Sequence, residues 1–195
     1  LNRLVAATDL SAPAQHAVER AASVARVTGA QLDLVHVTTP APLQRLRRLA
    51  GQIPSDLEQL MLDAPRNALQ ELADSMAQRH SVATQVHVAH GALLPELQGY
   101  TDAAQADLVV LGARGASFMR HMLLGPTAER MVSKTTRPML VVKQAPHEPY
   151  KTVLVPVDFS AHSLRSIRIA QAVAPGASLV LLHAYDVPYE GMMEY

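Results

Sequence analysis

Short apolar runs alternate along this chain with longer segments whose apolar residues recur at helical spacing. Five of these runs are predicted to be strands, and they cover residues 3–8, 31–37, 84–89, 107–111 and 138–143. Several are apolar at consecutive positions, which is typical of strands buried on both faces of a parallel sheet. The alternation therefore predicts an α/β fold, with an open parallel sheet, helices on both faces and right-handed crossovers.

Cap and turn residues delimit the helical segments. Ser11 is a good N-cap for a helix whose C-terminal end is marked by Gly29. Residues 38–54 are predicted to be a loop with a short helix. Two apolar stripes follow, and Pro65 between them either kinks one helix or begins a second one. Two more helices are predicted over residues 94–104 and 125–134.

The opening of the chain returns after residue 150. Residues 151–160 match residues 2–11, which places Asp158 at the position of Asp9. Ser160 likewise matches Ser11. A two-residue gap in the following helix then brings Gly176 to the position of Gly29 and residues 181–184 to the positions of 34–37. The chain is therefore predicted to hold a tandem repeat whose second copy ends after strand, helix and strand.

This repeat divides the chain into a complete domain over residues 1–144, a linker over 145–150 and the start of a second domain over 151–195. About 45 residues cannot bury much of a core alone. Three explanations stay open for the short copy: a truncated chain, a C-terminal part that is not seen, or a fragment that docks on the first domain. Of these we favour missing sequence.

Composition excludes several classes of protein. The chain has no cysteine, which rules out a disulfide scaffold and thiolate metal sites. Its 17 basic and 17 acidic residues give a net charge of +0, which argues against a nucleic-acid coat. No apolar run approaches the ~20 residues that span a bilayer. We expect a cytoplasmic protein that binds neither nucleic acid nor membranes.

The stretch after the fourth strand is the strongest candidate for chemistry. Its glycines are Gly112, Gly115 and Gly125. Glycines at the carboxyl end of a buried strand let backbone N–H groups approach an anion, and the N-terminus of a following helix adds further donors. Asp9 follows another strand and is expected at the same cleft. Arg114, Arg120 and His121 would favour anions there. The alternative, that the glycines only shape a turn, stays open.

Taken together, these motifs resemble the universal stress protein family. They are residues 5–11 (Val-Ala-Ala-Thr-Asp-Leu-Ser), 34–37 (Leu-Val-His-Val), the Gly-x-x-Gly-(nine residues)-Gly loop, 128–130 (Ala-Glu-Arg) and 138–142 (Pro-Met-Leu-Val-Val). The resemblance covers residues 2–143 and 151–185. It implies five strands in the order 3-2-1-4-5, a stress-response role, and a homodimer or tandem pseudo-dimer.

One branch of that family binds ATP, with or without Mg²⁺. The resemblance then implies that the three glycines hold the phosphates, and that Asp9 and the backbone of Val37 lie near the ribose and the adenine. The full set of expected ligand contacts is Thr8, Asp9, Val37, Gly112, Arg114, Gly115, Gly125, Pro126 and Thr127.

Pro126 departs from that branch, which has Ser or Thr after the third glycine. Proline suits the first turn of a helix, but it removes a hydroxyl and a backbone N–H from the phosphate site. Thr127 has a hydroxyl, but it lies about 100° further round the helix. Losing one charge-assisted hydrogen bond costs ~1.5–3 kcal/mol, or roughly tenfold to a hundredfold in affinity. Binding is expected to be weakened without being lost.

Other candidate residues carry weaker signals. Asp9 and Asp158 have no visible partner base, so a structural or ligand-contacting role is favoured over catalysis. His87 and His90 raise the question of a metal, but their spacing places them on opposite faces of a strand and no third ligand is evident.

His36 and His183 recur at one repeat position and suggest packing. The remaining expectations are a solvated face for the basic run 45–48, no nucleophile at Ser117, and either pairing or burial for the apolar strand 139–142.

Three functional hypotheses follow. The first is a nucleotide-responsive binding module that signals through dimer or partner contacts, with at most a slow, incidental ATPase activity. The second is a universal stress protein that binds no nucleotide and acts as a dimeric scaffold or regulator. The third, an adenylating enzyme, needs a Ser-Gly-Gly-rich loop after the first strand. Residues 9–13 (Asp-Leu-Ser-Ala-Pro) do not provide one.

Overall fold

In the computed structural model the chain forms two compact units, residues 1–147 and 148–195. The boundary between them falls inside the segment 145–150. The structure describes residues 1–39, 41–51, 54–113 and 125–185, without the side chains of residues 42, 43 and 58.

The first unit is built on a five-stranded parallel sheet. The strands are β1 Arg3–Ala7, β2 Gln31–Thr38, β3 Thr84–His90, β4 Leu108–Gly112 and β5 Met139–Val142. The helices are α1 Ala12–Thr28, α2 Ala41–Ala50, α3 Ser55–His80, α4 Leu93–Ala103 and α5 Pro126–Lys134. The strand order is β3-β2-β1-β4-β5, and each neighbouring pair is parallel. The predicted fold and strand order are confirmed.

Helices cover both faces of this sheet. On one face, Val5, Val35 and Val109 of the strands pack with Leu97 of α4 and Met131 of α5. The alternate strand positions are also buried, and α1 and α3 contact the strands from the opposite face. The consecutive apolar residues of the strands are explained by this burial on two sides.

Local signals set the helix boundaries. The Ser11 hydroxyl accepts a hydrogen bond from the backbone N–H of Ala14, and Gly29 ends α1 in the left-handed conformation with φ +71°. Both predictions are confirmed. Pro65 lies inside one continuous α3 rather than between two helices. It lies in the solvent-exposed half of that helix, where water can bond the carbonyl that loses its N–H partner.

A buried carboxylate lies on β2, beneath α4. Asp33 in the middle of β2 is fully buried and accepts hydrogen bonds from the Tyr100 hydroxyl at 3.1 Å and the Gln31 side-chain amide at 3.2 Å. The Arg3 guanidinium lies 3.8 Å from the carboxylate. Each polar group of this cluster therefore has a partner, as a buried charge requires.

The second unit is a strand–helix–strand motif. Its elements are β6 Thr152–Pro156, α6 Ala161–Val173 and β7 Ser178–Leu182, and the two strands are parallel. Leu154 is 56% exposed and Leu182 is 50% exposed. Val5 and Val35, at the matching positions of the repeat, are buried under α4 and α5. Within the described ranges of both units, none of the helices has the length and apolar content needed to cross a bilayer.

The Asp33 cluster predicts a late tyrosine titration. Burial raises the pKa of Tyr100 from 10.0 to about 12, and the Asp33 carboxylate adds to this shift. The cluster's contribution to stability is therefore complete below pH 10 and is lost as the pH rises through the folded-state pKa. We expect ultraviolet titration of the protein to show a late tyrosine ionisation near pH 12 that belongs to Tyr100. Tyr100→Phe should abolish that step. Tyr185→Phe, at an exposed position, should leave it, and a late step that survives Tyr100→Phe would contradict the assignment.

Gly91, between β3 and α4, is predicted to be destabilised by a side chain because of its backbone conformation. Its φ is +156°, which residues with a Cβ rarely adopt, and an added Cβ would also push aside the flexible end of the Glu96 side chain, whose Oε1 lies 2.7 Å away. Gly91→Ala should lower the free energy of unfolding by about 1–3 kcal/mol. Gly99 has open space around it inside α4, so Gly99→Ala should raise the free energy by about 0.5–1 kcal/mol. Chemical denaturation of the two variants checks the pair, and equal effects would refute this explanation.

Candidate functional site

The carboxyl ends of β1, β2 and β4 meet at one edge of the sheet. Ala7 pairs with Val35 on one side and with Leu111 on the other, and the N–H of Thr8 donates to the Val35 carbonyl at 3.0 Å. Thr8, Val37 and Gly112 therefore lie at the same edge. The chain leaves β1 toward β2 and later returns to β4 on the opposite side, which opens a crevice between β1 and β4.

The turn after β1 is fixed by its own side chains. Thr8 is buried, and its hydroxyl accepts a hydrogen bond from the N–H of Leu10 at 3.0 Å. Leu10 has a positive φ of +62°. The exposed Asp9 carboxylate accepts from both the N–H and the hydroxyl of Ser11. Asp9 thus connects the end of β1 to the start of α1, which agrees with a structural or ligand-contacting role.

A histidine anchors the same turn to β2. Nδ1 of His36 lies 2.8 Å from the Thr8 carbonyl, so a protonated Nδ1 donates to it. His183 makes the same 2.8 Å contact with the Val157 carbonyl in the second unit. The recurrence of histidine at one repeat position was the sequence signal for this interaction. The sequence suggested packing, and the structure shows a hydrogen bond instead.

The second unit repeats this turn with one difference. Phe159 has φ +63°, and the Asp158 carboxylate accepts from the N–H of Ser160. It also accepts from the hydroxyl of Ser163, where the first unit has Ala14. Hydrogen bonds from Ser160 and Ser163 hold the pKa of Asp158 well below its usual range.

The end of β4 is tied directly to the start of α5. The Ala113 N–H donates to the Val142 carbonyl at 2.7 Å, and the Gly125 N–H donates to the Ala113 carbonyl at 2.7 Å. A backbone hydrogen bond therefore holds Ala113, the last described residue after β4, against Gly125, the N-cap of α5. Arg114, Gly115, Ser117, Arg120 and His121 lie outside the described residues.

The first turn of α5 presents backbone donors at this edge. Gly125 is the N-cap and supplies no side-chain hydrogen bond, and Pro126 occupies the first position without an N–H. The N–H groups of Thr127 and Ala128 come next, in the part of a helix where amides have no intrahelical acceptor. The positive end of the α5 dipole lies at these N–H groups and favours a bound anion. The carboxylate of Glu129 in the same turn opposes anion binding.

The histidines near β3 have partners of their own. The ring of His87 stacks on Tyr100 with 4.4 Å between centroids, and Nδ1 of His90 lies 2.6 Å from the Thr38 hydroxyl. Across the described ranges no cluster of three or more His, Cys, Asp or Glu residues is placed to hold a metal ion. In the basic run, Arg45, Arg47 and Arg48 are exposed on α2.

Comparison with known families identifies this arrangement. A family model described as the universal stress protein family matches residues 1–143, which include every element of the site. The chain belongs to the universal stress protein family.

Two curated relatives show how this universal stress protein compares with others. Universal stress protein A homolog 1 of Coxiella burnetii is 30% identical over 142 residues, which is 71% of this chain and 94% of the relative. A universal stress protein of Mycolicibacterium smegmatis is 27% identical over 198 residues, which is 95% of this chain. The chain spans only 66% of the length of that second relative.

Solved structures share the fold. A universal stress protein from Archaeoglobus fulgidus matches 97% of this chain and 68% of its own, with a TM-score of 0.73 and 20% identity. The universal stress protein UspA from Lactobacillus plantarum matches 73% of this chain and 97% of its own, with a TM-score of 0.61 and 20% identity.

The Thr8 hydroxyl is predicted to stabilise the turn at the centre of the site. Thr8→Val keeps the shape of the side chain but leaves the Leu10 N–H without its acceptor, so the free energy of unfolding should fall by about 1 kcal/mol. Thr39→Val, an exposed threonine just beyond β2, is the control and should change it by less than about 0.5 kcal/mol. Denaturant titration of both variants measures the difference, and equal stabilities would contradict this role.

Proposed function

We propose that the first unit binds an adenine nucleotide, ATP or a close relative, at the carboxyl edge of its sheet. The observation that carries the proposal is the position of the α5 N-terminus. Its first-turn amides, which have no acceptor within the helix, lie at the end of β4, beside the crevice between β1 and β4 where open parallel sheets bind ligands. In support, a solved universal stress protein is described in complex with cAMP, with 23% identity and a TM-score of 0.54 to this chain.

In this proposal different site residues contact the phosphates, the ribose and the adenine of the nucleotide. The phosphates lie on the backbone of Gly112, Gly115 and the first turn of α5, with Arg114 and Thr127 close by. The ribose lies beside Thr8 and Asp9, and the backbone of Val37 contacts the adenine. Mg²⁺ arrives with the triphosphate rather than on a protein cluster.

Pro126 and Gly125 make the phosphate site weaker than a complete helix N-terminus. Pro126 has no N–H, and the Gly125 N–H already donates to Ala113. Thr127 and Ala128 then supply the remaining donors of the first turn. We therefore expect nucleotide affinity that is measurable and that rises when a donor is restored at position 126.

The bound nucleotide is proposed to regulate contacts rather than to be turned over. The Asp9 carboxylate is engaged by Ser11 in holding the β1–α1 turn, so it is poorly placed to activate water. Any ATPase activity is slow and incidental. Among the described residues, β5 is the last strand of the sheet and pairs with β4, so we expect a homodimer or a tandem pseudo-dimer to form through its other edge.

A second candidate function is a scaffold without nucleotide. The observation that favours it is the loss of two donors at the same helix end, one to proline and one to the Ala113 carbonyl. In that case dimer contacts alone carry the function, and restoring a donor at position 126 has no effect on activity in cells.

Calorimetric titration with ATP and magnesium distinguishes the two. Under the nucleotide proposal the wild type releases or absorbs heat on binding. Pro126→Ser, which restores both an N–H and a hydroxyl, binds roughly tenfold to a hundredfold more tightly. Absence of heat and of a thermal shift at millimolar ATP for both proteins would overturn it.

A matched control isolates the effect of the restored donors. Pro54→Ser makes the same substitution at the N-cap of α3, which is not among the proposed ligand contacts, and should leave the affinity for ATP unchanged. An equal gain from Pro54→Ser would show that the effect of Pro126→Ser does not come from the phosphate site.

A further inference from the structure

Helix α2 has almost no packing of its own. Among its described side chains, Leu46 is half-buried and all the others are exposed, and Leu49 is 80% exposed. The same ten residues hold Arg45, Arg47 and Arg48. α2 is therefore a basic helix with apolar side chains in solvent.

The N-terminal half of α3 is exposed in the same way. None of the described side chains from Ser55 to Ala68 is buried, whereas Leu69, Ala73 and Met76 further along the helix are fully buried in the unit. The first half of this 26-residue helix thus extends beyond the body that its second half packs against.

This half of α3 carries an apolar stripe of its own. Its members are Leu57, Leu60, Met61, Ala64 and Ala68. They recur at offsets of three and four residues, so they share one helix face. That face differs from the one on which Leu69, Ala73 and Met76 are buried. Leu57 is 43% exposed and Leu60 is 63% exposed, so the described residues of the unit leave much of this stripe in contact with solvent.

The two helices carry opposite charges. α2 has its three arginines, whereas the exposed half of α3 has three acidic residues, Asp56, Glu58 and Asp63, against the single basic residue Arg66. An exposed apolar patch flanked by charges is typical of a protein interface. The net charge of the chain is zero, so approach of a second copy meets no overall repulsion.

We propose that α2 and the first half of α3, residues 41–51 and 54–68, form an arm that docks on the same arm of a second copy of this chain. A two-fold axis places α2 of each copy against α3 of its partner, because a self-complementary surface with two opposite charges closes on itself in that way. The leucines of the arms form the buried centre of the contact. Arg45 and Arg48 face Asp56 and Asp63 across it.

None of the arm residues is among the proposed nucleotide contacts, and none belongs to β5. The arm interface therefore adds an association step of its own. A chain that also pairs through β5 reaches a tetramer, and loss of the arm contact reduces it to a dimer.

Sedimentation velocity over a concentration series tests the arm on the full chain. Leu57→Glu with Leu60→Glu should remove one association step that the wild type shows. Ser55→Glu with Gln59→Glu adds the same two charges to exposed positions on another face of the helix and should leave association unchanged. All four positions are exposed, so thermal unfolding should stay within a few degrees of the wild type. Equal association states of the wild type and the leucine variant would overturn the proposal.

Charge reversal provides a second test that does not depend on the leucines. Arg45→Glu with Arg48→Glu, and separately Asp56→Lys with Asp63→Lys, should each weaken self-association by about tenfold or more through like-charge contact. An equimolar mixture of the two variants should recover the wild-type association state, because each arm then meets its complement. Failure of the mixture to associate better than either variant alone would contradict arm-to-arm docking, whatever the result for the leucines.

Discussion

The parallel pairing of β1 with β2 on one side and β4 on the other is the constraint on which the candidate site depends. It brings Thr8, Val37 and Gly112 to one edge, although they are far apart in sequence. It also creates the crevice, because the connections on the two sides of β1 run in opposite directions. The hydrogen bonds of Thr8, Asp9 and His36 then fix the turn at this edge. The strand order thus determines where the site lies, and the side-chain hydrogen bonds determine the shape of its turn.

The fold was largely predictable from local patterns, since the apolar runs, the Ser11 cap and Gly29 each report a nearby backbone requirement. The strand order came from the family resemblance and was confirmed. The Asp33 cluster was not predicted, because its partners Arg3 and Tyr100 join it only through strand pairing and helix packing. The continuity of α3 through Pro65 was undecidable from the sequence, because both alternatives satisfy the proline's steric rules.

The site was predictable only in part. Sequence spacing placed the glycines and Asp9 at strand ends, and parallel pairing brings Asp9, Gly112 and Gly125 to the same edge. The bond between the Gly125 N–H and the Ala113 carbonyl has no sequence signal, since it joins two backbone groups across a loop. It matters because, with Pro126, it leaves the phosphate site with fewer donors. The exposure of the arm likewise could not be predicted from the sequence, because the stripe that holds Leu57 and Leu60 has the spacing of an ordinary buried helix face.

In the proposed function, amides at the start of α5 receive a negatively charged nucleotide beside the end of β1. Two-dimensional nitrogen–proton NMR of the chain during titration with ATP and magnesium tests it residue by residue. We expect saturable shifts of the Thr127 and Ala128 amides together with those of Thr8 and Leu10, and no comparable change in α2 or β3. Unmoved Thr127 and Ala128 amides at saturating ATP, or shifts confined to another part of the chain, would contradict it.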